Sequence, residues 1–182
     1  MGNLRHWIAL CESGITDAIL TKAAQRLVQN IDWSEGSDIV LSGMGYSEDD
    51  TEELDMKSPE FDAKLLQWAK GQVADAEWNI QQHFNGEIIR VYRMITAPVD
   101  WKPDPTRHPG DYWSWEEDCA DAHWGNFSNG DVKWMMTADV HMSQIDWVQT
   151  LAVNGMPDSE DECEITMIPN TPIKLLNYKR VK

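Results

Sequence analysis

The chain is short of positive charge: 15 Lys and Arg stand against 31 Asp and Glu, for a formal net charge of -16 over 182 residues. A surface this acidic repels phosphate backbones at long range, which argues against direct nucleic-acid binding. Cysteine is scarce too. Cys11, Cys119 and Cys163 are odd in number and widely scattered, so they do not make a disulfide framework. No apolar run approaches the length of a bilayer-spanning helix, and the first residues lack the h-region and cleavage site of a secretory leader. Met1-Gly2 does not open a myristoylation motif, because His6 stands where Ser or Thr is required. A soluble, cytoplasmic protein is expected. Repeats, low-complexity segments and a Gly-rich phosphate loop are missing, as is any Ser/His/Asp or Cys/His arrangement that stands out. Cys119 and His123 could ligate zinc from one helix face, but no second pair has suitable spacing, so no metal is expected.

What the chain does have is apolar residues, 42% of the total, enough for one sizeable core and too few residues for two comfortable ones. A single domain over 1–182 is expected, helical over 1–86 and β-rich over 87–182. Ten of its aromatic residues are Trp, which suits aromatic-lined cavities as well as a core built on large anchors. Acidic runs at Glu48 to Asp55 and Asp158 to Glu164 read as solvated loops.

Helical spacing runs from Leu4 to about residue 30, broken near Gly14, with Thr16 or Asp17 as a cap for the second segment. Asp38 to Ser42 is a short apolar run that reads as a strand. Ser58-Pro59-Glu60 opens a helix by placing a capping residue before Pro at the first helical position. Its stripe from Phe61 extends to about Phe84, and Asn85-Gly86 ends it as a left-handed C-cap. The period then changes to two. Strands are expected at Glu87 to Thr96, Asp111 to Trp115, Asp131 to Met142, Cys163 to Ile168 and Ile173 to Tyr178. A helical segment is expected at Glu116 to Trp124 and a helical turn at Ile145 to Leu151. Helices first and strands afterwards make an α+β fold.

Three segments combine strand character with chemistry. Arg93 shares its predicted face with Ile89, Val91 and Ile95, so its guanidinium needs an anionic partner; a buried ion pair is the plain alternative to a ligand. Ser114 sits among Tyr112, Trp113 and Trp115, where it can cap a helix or orient a neighbouring group while the rings stack on a planar ligand. Glu162 and Glu164 are two apart at the start of a β-branched strand, a costly pairing of like charges unless a cation or ligand compensates. A solvated hairpin turn is the alternative there.

Together these segments, Val91-Tyr92-Arg93, Trp113-Ser114-Trp115 and Glu162-Cys163-Glu164, resemble the Arg-Ser-Glu branch of the ADP-ribosyltransferase superfamily in order and spacing. The resemblance covers residues 87 to 178. The chain departs from it where a single Ser114 replaces the usual Ser-Thr-Ser, and where Met94 follows the strand arginine in place of Gly. The resemblance implies N-terminal helices on a split, mainly antiparallel sheet. It also implies a mono-ADP-ribosyltransferase that uses NAD as substrate and no metal. Glu164 would stabilise the oxocarbenium-like ribose, Arg93 would hold the NAD phosphate or ribose, and Ser114 would orient Glu164. Glu162 would contact the acceptor, and Tyr112, Trp113 or Trp115 would stack on nicotinamide. The implied partner is a protein with a basic or arginine-containing surface. The rival readings are a non-catalytic acidic protein that covers a basic partner surface, and an NAD glycohydrolase that passes ADP-ribose to water.

Overall fold

A computed structural model describes residues 15–34, 36–47, 54–104, 109–121, 131–157 and 163–181. These residues are α+β, with four α-helices and a six-stranded sheet whose pairings are antiparallel. They divide into two compact units, one from residues 15–79 and 147–157 and the other from 80–146 and 163–181.

In the helical unit, α1 (Asp17–Asn30) starts where Thr16 accepts a hydrogen bond from the Ile19 N–H, and it buries Ala23, Ala24 and Leu27. The last helix, α4 (Trp147–Asn154), packs on α1, with Arg26 Nε donating to Gln149 Oε1 at 3.3 Å. Helix α3 (Pro59–Gln81) begins as its sequence predicts, the Ser58 hydroxyl accepting from Phe61 N–H at 3.1 Å. Phe61, Leu65, Ala69, Val73 and Ala76 follow at three- and four-residue steps, and all are buried. Each large aliphatic side chain among them contributes about 1.5–3 kcal/mol.

Residues 38–42 are not a strand. They lie inside the short helix α2 (Ser37–Gly43), where Val40 and Leu41 are buried and Ile39 is 50% exposed. Adjacent buried residues beside an exposed one fit a helix turned one way, not the alternation of a strand.

The sheet unit opens with a hairpin. Phe84 and Asn85 form β1 (Phe84–Asn85), which pairs with β2 (Ile88–Pro98) at Phe84↔Ile89 and Asn85↔Ile88. Asn85-Gly86 is therefore the start of a two-residue turn and not a helix cap. Gly86, at φ +64, supplies the left-handed backbone that such turns require. β2 pairs with β4 (Asp131–His141) along its whole length, from Ile88↔His141 to Pro98↔Asp131. β6 (Leu175–Arg180) lies on the far side of β4, with a register shift at Thr137/Ala138. On the other side of β2 come β3 (Tyr112–Ser114) and β5 (Glu164–Thr166), giving the order β5-β3-β2-β4-β6.

Register partners share a face. Ile89, Val91, Met136, Ala138 and Val140 form the buried face of the long ladder, and Trp113 with Ile165 continue it across the short strands. Between Ser114 and residue 121 the chain makes a 3-10 turn at Cys119–Asp121; the rest of the helix expected to Trp124 lies outside the described residues. No helix among the described residues is long and apolar enough to cross a membrane.

Candidate functional site

Where β3 leaves β2, the sheet unit holds a cleft of about 250 Å³ lined by Arg93, Tyr112, Trp113, Ser114 and Glu164, with Tyr92, Met94 and Ala120 completing its wall. Arg93, Ser114 and Glu164 come from three neighbouring strands. Tyr92, Ser114 and Glu164 stand in one row across the sheet, through the pairs Tyr92↔Ser114 and Ser114↔Glu164, and so belong to one face. Arg93 is one residue along and starts from the opposite face, among Ile89, Val91 and Met136. The three side chains therefore reach the cleft from both faces of the sheet. β2 and β3 share only the Tyr92↔Ser114 pairing, which leaves the ladder open beside Arg93.

Arg93 is held from the loop side. Its Nη1 donates to the Tyr112 carbonyl, and its guanidinium lies against Gly110. A Cβ on Gly110 would fall 2.6 Å from Arg93 Cζ, and the residue has φ +110, so both contact and backbone require glycine. Burial pushes the Arg93 guanidinium below its ordinary pKa, while the nearby carboxylates of Asp111 and Glu164 act in the opposite direction. Arginine remains charged under this pressure. Its Nε is buried without a hydrogen-bond partner among the described residues. The Arg93 side chain thus puts a cation at the cleft wall, which favours an oxygen-rich or anionic ligand.

Glu164 is fixed along its own strand by Thr166, whose buried hydroxyl donates to Glu164 Oε1 at 2.9 Å. Thr166 is the orienting residue that sequence reasoning passed over. Its position two beyond Glu164 on one strand was the available signal. Ser114 is 2% exposed and faces Glu164 as a register partner.

The three candidate aromatic residues separate clearly. Tyr112 lines the cleft and is 55% exposed. Trp113 is 2% exposed and anchored through its indole N–H to Gly110 O at 2.8 Å, so it is a wall and not a free stacking surface. Trp115 does not line the cleft; its N–H donates to Cys163 O and its ring lies 5.8 Å from His83. Glu162 lies outside the described residues.

A larger cleft of about 970 Å³ lies elsewhere in this unit, lined among others by Ile95, Trp101, Lys102, Lys174 and Tyr178. Trp101, Trp134 and Tyr178 pack mutually with ring centroids 5.7 to 6.1 Å apart. It has no counterpart of the Arg93–Ser114–Glu164 set. Comparison with protein-family models, curated proteins and solved structures finds no match to the chain.

Proposed function

We propose that the chain cleaves NAD at the nicotinamide–ribose bond and transfers ADP-ribose to a protein acceptor, in the manner of the Arg-Ser-Glu mono-ADP-ribosyltransferases it resembles. The observation that carries this reading is the row Tyr92–Ser114–Glu164 at a cleft lined by the half-buried cation Arg93. Cleavage of the glycosidic bond develops positive charge on the ribose. A carboxylate fixed in advance stabilises that charge more than it stabilises the ground state, and this lowers the barrier. Glu164, held by Thr166, is that carboxylate. Arg93, which lines the cleft, supplies the positive charge that pairs with a ribose or phosphate oxygen. Tyr112 is the ring that stacks on nicotinamide, because it is the exposed one at the cleft.

A cleft of about 250 Å³ is smaller than the roughly 300–1,000 Å³ of most ligand pockets. It suits the nicotinamide–ribose end, with the rest of the dinucleotide extending beyond it. Glu162 fits an acceptor-contacting role by the motif, and the net charge of -16 favours a basic acceptor surface. The split-sheet fold of the superfamily and a cytoplasmic location belong to the same reading.

The test is release of nicotinamide from NAD by the purified protein. Glu164→Gln should lower it by about 10²–10³-fold, as loss of a transition-state charge contact does, with the variant still folded at the assay temperature. Parental turnover in that variant, or no release by the parent protein, refutes the proposal. Label appearing on protein marks a transferase; label appearing only as free ADP-ribose marks a glycohydrolase.

A further inference from the structure

Beside the cleft lies a second cluster that the proposed NAD chemistry does not use. Glu116, Cys119 and Cys163 bring a carboxylate oxygen and two sulfurs within 4.8 Å of one another. Both cysteines are thiols, Cys163 being 6% exposed and Cys119 half-buried. Cys119 Sγ is 4.0 Å from Glu116 Oε2, and His83 Nε2 lies 3.8 Å from Glu116 Oε1. Three segments distant in the chain meet here: the β1 region, the 3-10 turn after β3, and the residue before β5. Cys163 reaches the cluster with φ +46, a backbone conformation that residues other than glycine rarely adopt. Its carbonyl is held at the same time by the Trp115 N–H at 3.1 Å.

We propose that Glu116, Cys119 and Cys163 bind a thiophilic divalent cation, with Zn²⁺ as the best fit. Two thiolates select zinc over magnesium or calcium, and a carboxylate is an ordinary third ligand. Zinc–sulfur bonds of about 2.3 Å in a tetrahedron place two sulfurs about 3.8 Å apart. The cluster reaches that from its present 4.8 Å span by small side-chain rotations. The fourth position takes water, since Glu116 is exposed and gives solvent access to the ion. His83 Nε2 stands on the outer side of the same carboxylate, near Glu116 Oε1. Binding converts two thiols to thiolates and releases their two protons to solvent. The ion ties the 3-10 turn to residue 163, immediately before Glu164, and so braces the start of β5.

The experiment uses the full chain, reduced and stripped with a chelator, and titrates Co²⁺ as the spectroscopic probe. One equivalent should produce a thiolate-to-cobalt charge-transfer band with the visible bands of four-coordinate Co²⁺, and Zn²⁺ should displace it. Cys119→Ser and Cys163→Ser should each weaken uptake at least about 100-fold. Because a cysteine variant can fail to fold, a second measurement uses the unaltered chain: Zn²⁺ should protect Cys119, the more exposed of the two ligand thiols, from alkylation. A reduced protein with free thiols and no charge-transfer band overturns the proposal. So does a band that survives Cys163→Ser, or alkylation unaffected by Zn²⁺. None of these readouts depends on NAD turnover, so this proposal and the NAD reading fail separately.

Discussion

Among the described residues, burial works against the charge of one side chain in each unit, and the two meet its cost differently. In the helical unit it is Glu77, 8% exposed on α3, whose carboxyl is pushed up to about 6 by desolvation. In the sheet unit it is Arg93. A carboxylic acid relieves its burial by taking up a proton. A guanidinium cannot give one up, so it must be met by carbonyls and carboxylates. Arg93 has Tyr112 O, Asp111 and Glu164 around it and still leaves Nε unused. Exposed Arg90 on the same strand spends its guanidinium on a two-bond pair with Asp139, at 2.8 and 3.0 Å. A cation that is half-buried, partly satisfied and set at a cleft suits the ligand-binding role proposed for Arg93. A carboxyl that can neutralise itself has the form of a structural compromise.

The contrast breaks most easily at Gly110. Gly110→Ala combines a backbone at φ +110 with a clash against Arg93 Cζ, and should cost about 3 kcal/mol. A denaturant midpoint shift at constant m reads it. Moving the guanidinium aside would relieve the clash, but it would break the Nη1–Tyr112 bond. The double variant with Arg93→Met should therefore be less destabilised than the sum of the two single changes. Strict additivity would show that Gly110 does not seat the guanidinium.

Arg93→Met alone should cost about 2 kcal/mol, less than a fully buried pair because Asp111 and Glu164 keep some solvent. Arg93→Lys should recover under half of that, since an ammonium is a point charge without the guanidinium fork. If Arg93→Met were as stable as the parent, the surrounding carboxylates would not be compensating it, and the comparison with Glu77 would collapse.

Much of this was legible in the sequence wherever one signal had one meaning. Ser58-Pro59 announced the start of α3, and the alternation from Val132 to Val140 announced β4. Arg93, Ser114 and Glu164 could be picked out because charge or hydroxyl interrupts apolar strands. Misreadings arose where one signal has two meanings. Three apolar residues within Asp38–Ser42 are too few to separate helix from strand, and Gly36 before them offers no side-chain cap. Asn85-Gly86 suits a helix end as well as the hairpin it forms. The meeting of Glu116, Cys119 and Cys163, and the seating of Arg93 on Gly110, depend on how distant segments fold back. Local spacing carries no record of that.

The smallest effect tests the other half of the comparison. Glu77 has its folded pKa raised to about 6 from an ordinary 4.5. Between those values the folded protein holds a proton that the unfolded chain has released, so stability must fall as pH rises through that window. Above pH 6 the full penalty for a buried carboxylate is in place; below about 4.5 it vanishes, because both states are protonated. Replacing the ionisable group by an amide of the same shape removes the penalty. Glu77→Gln should therefore raise stability by about 1 kcal/mol at pH 8, allowing for solvent screening of a partly buried group. The gain should shrink through pH 6 to nothing near pH 4. Urea titrations of parent and variant at those three pH values measure it. A gain independent of pH would mean that packing, not charge, separates the two side chains, and Glu77 would no longer be the counterpart of Arg93.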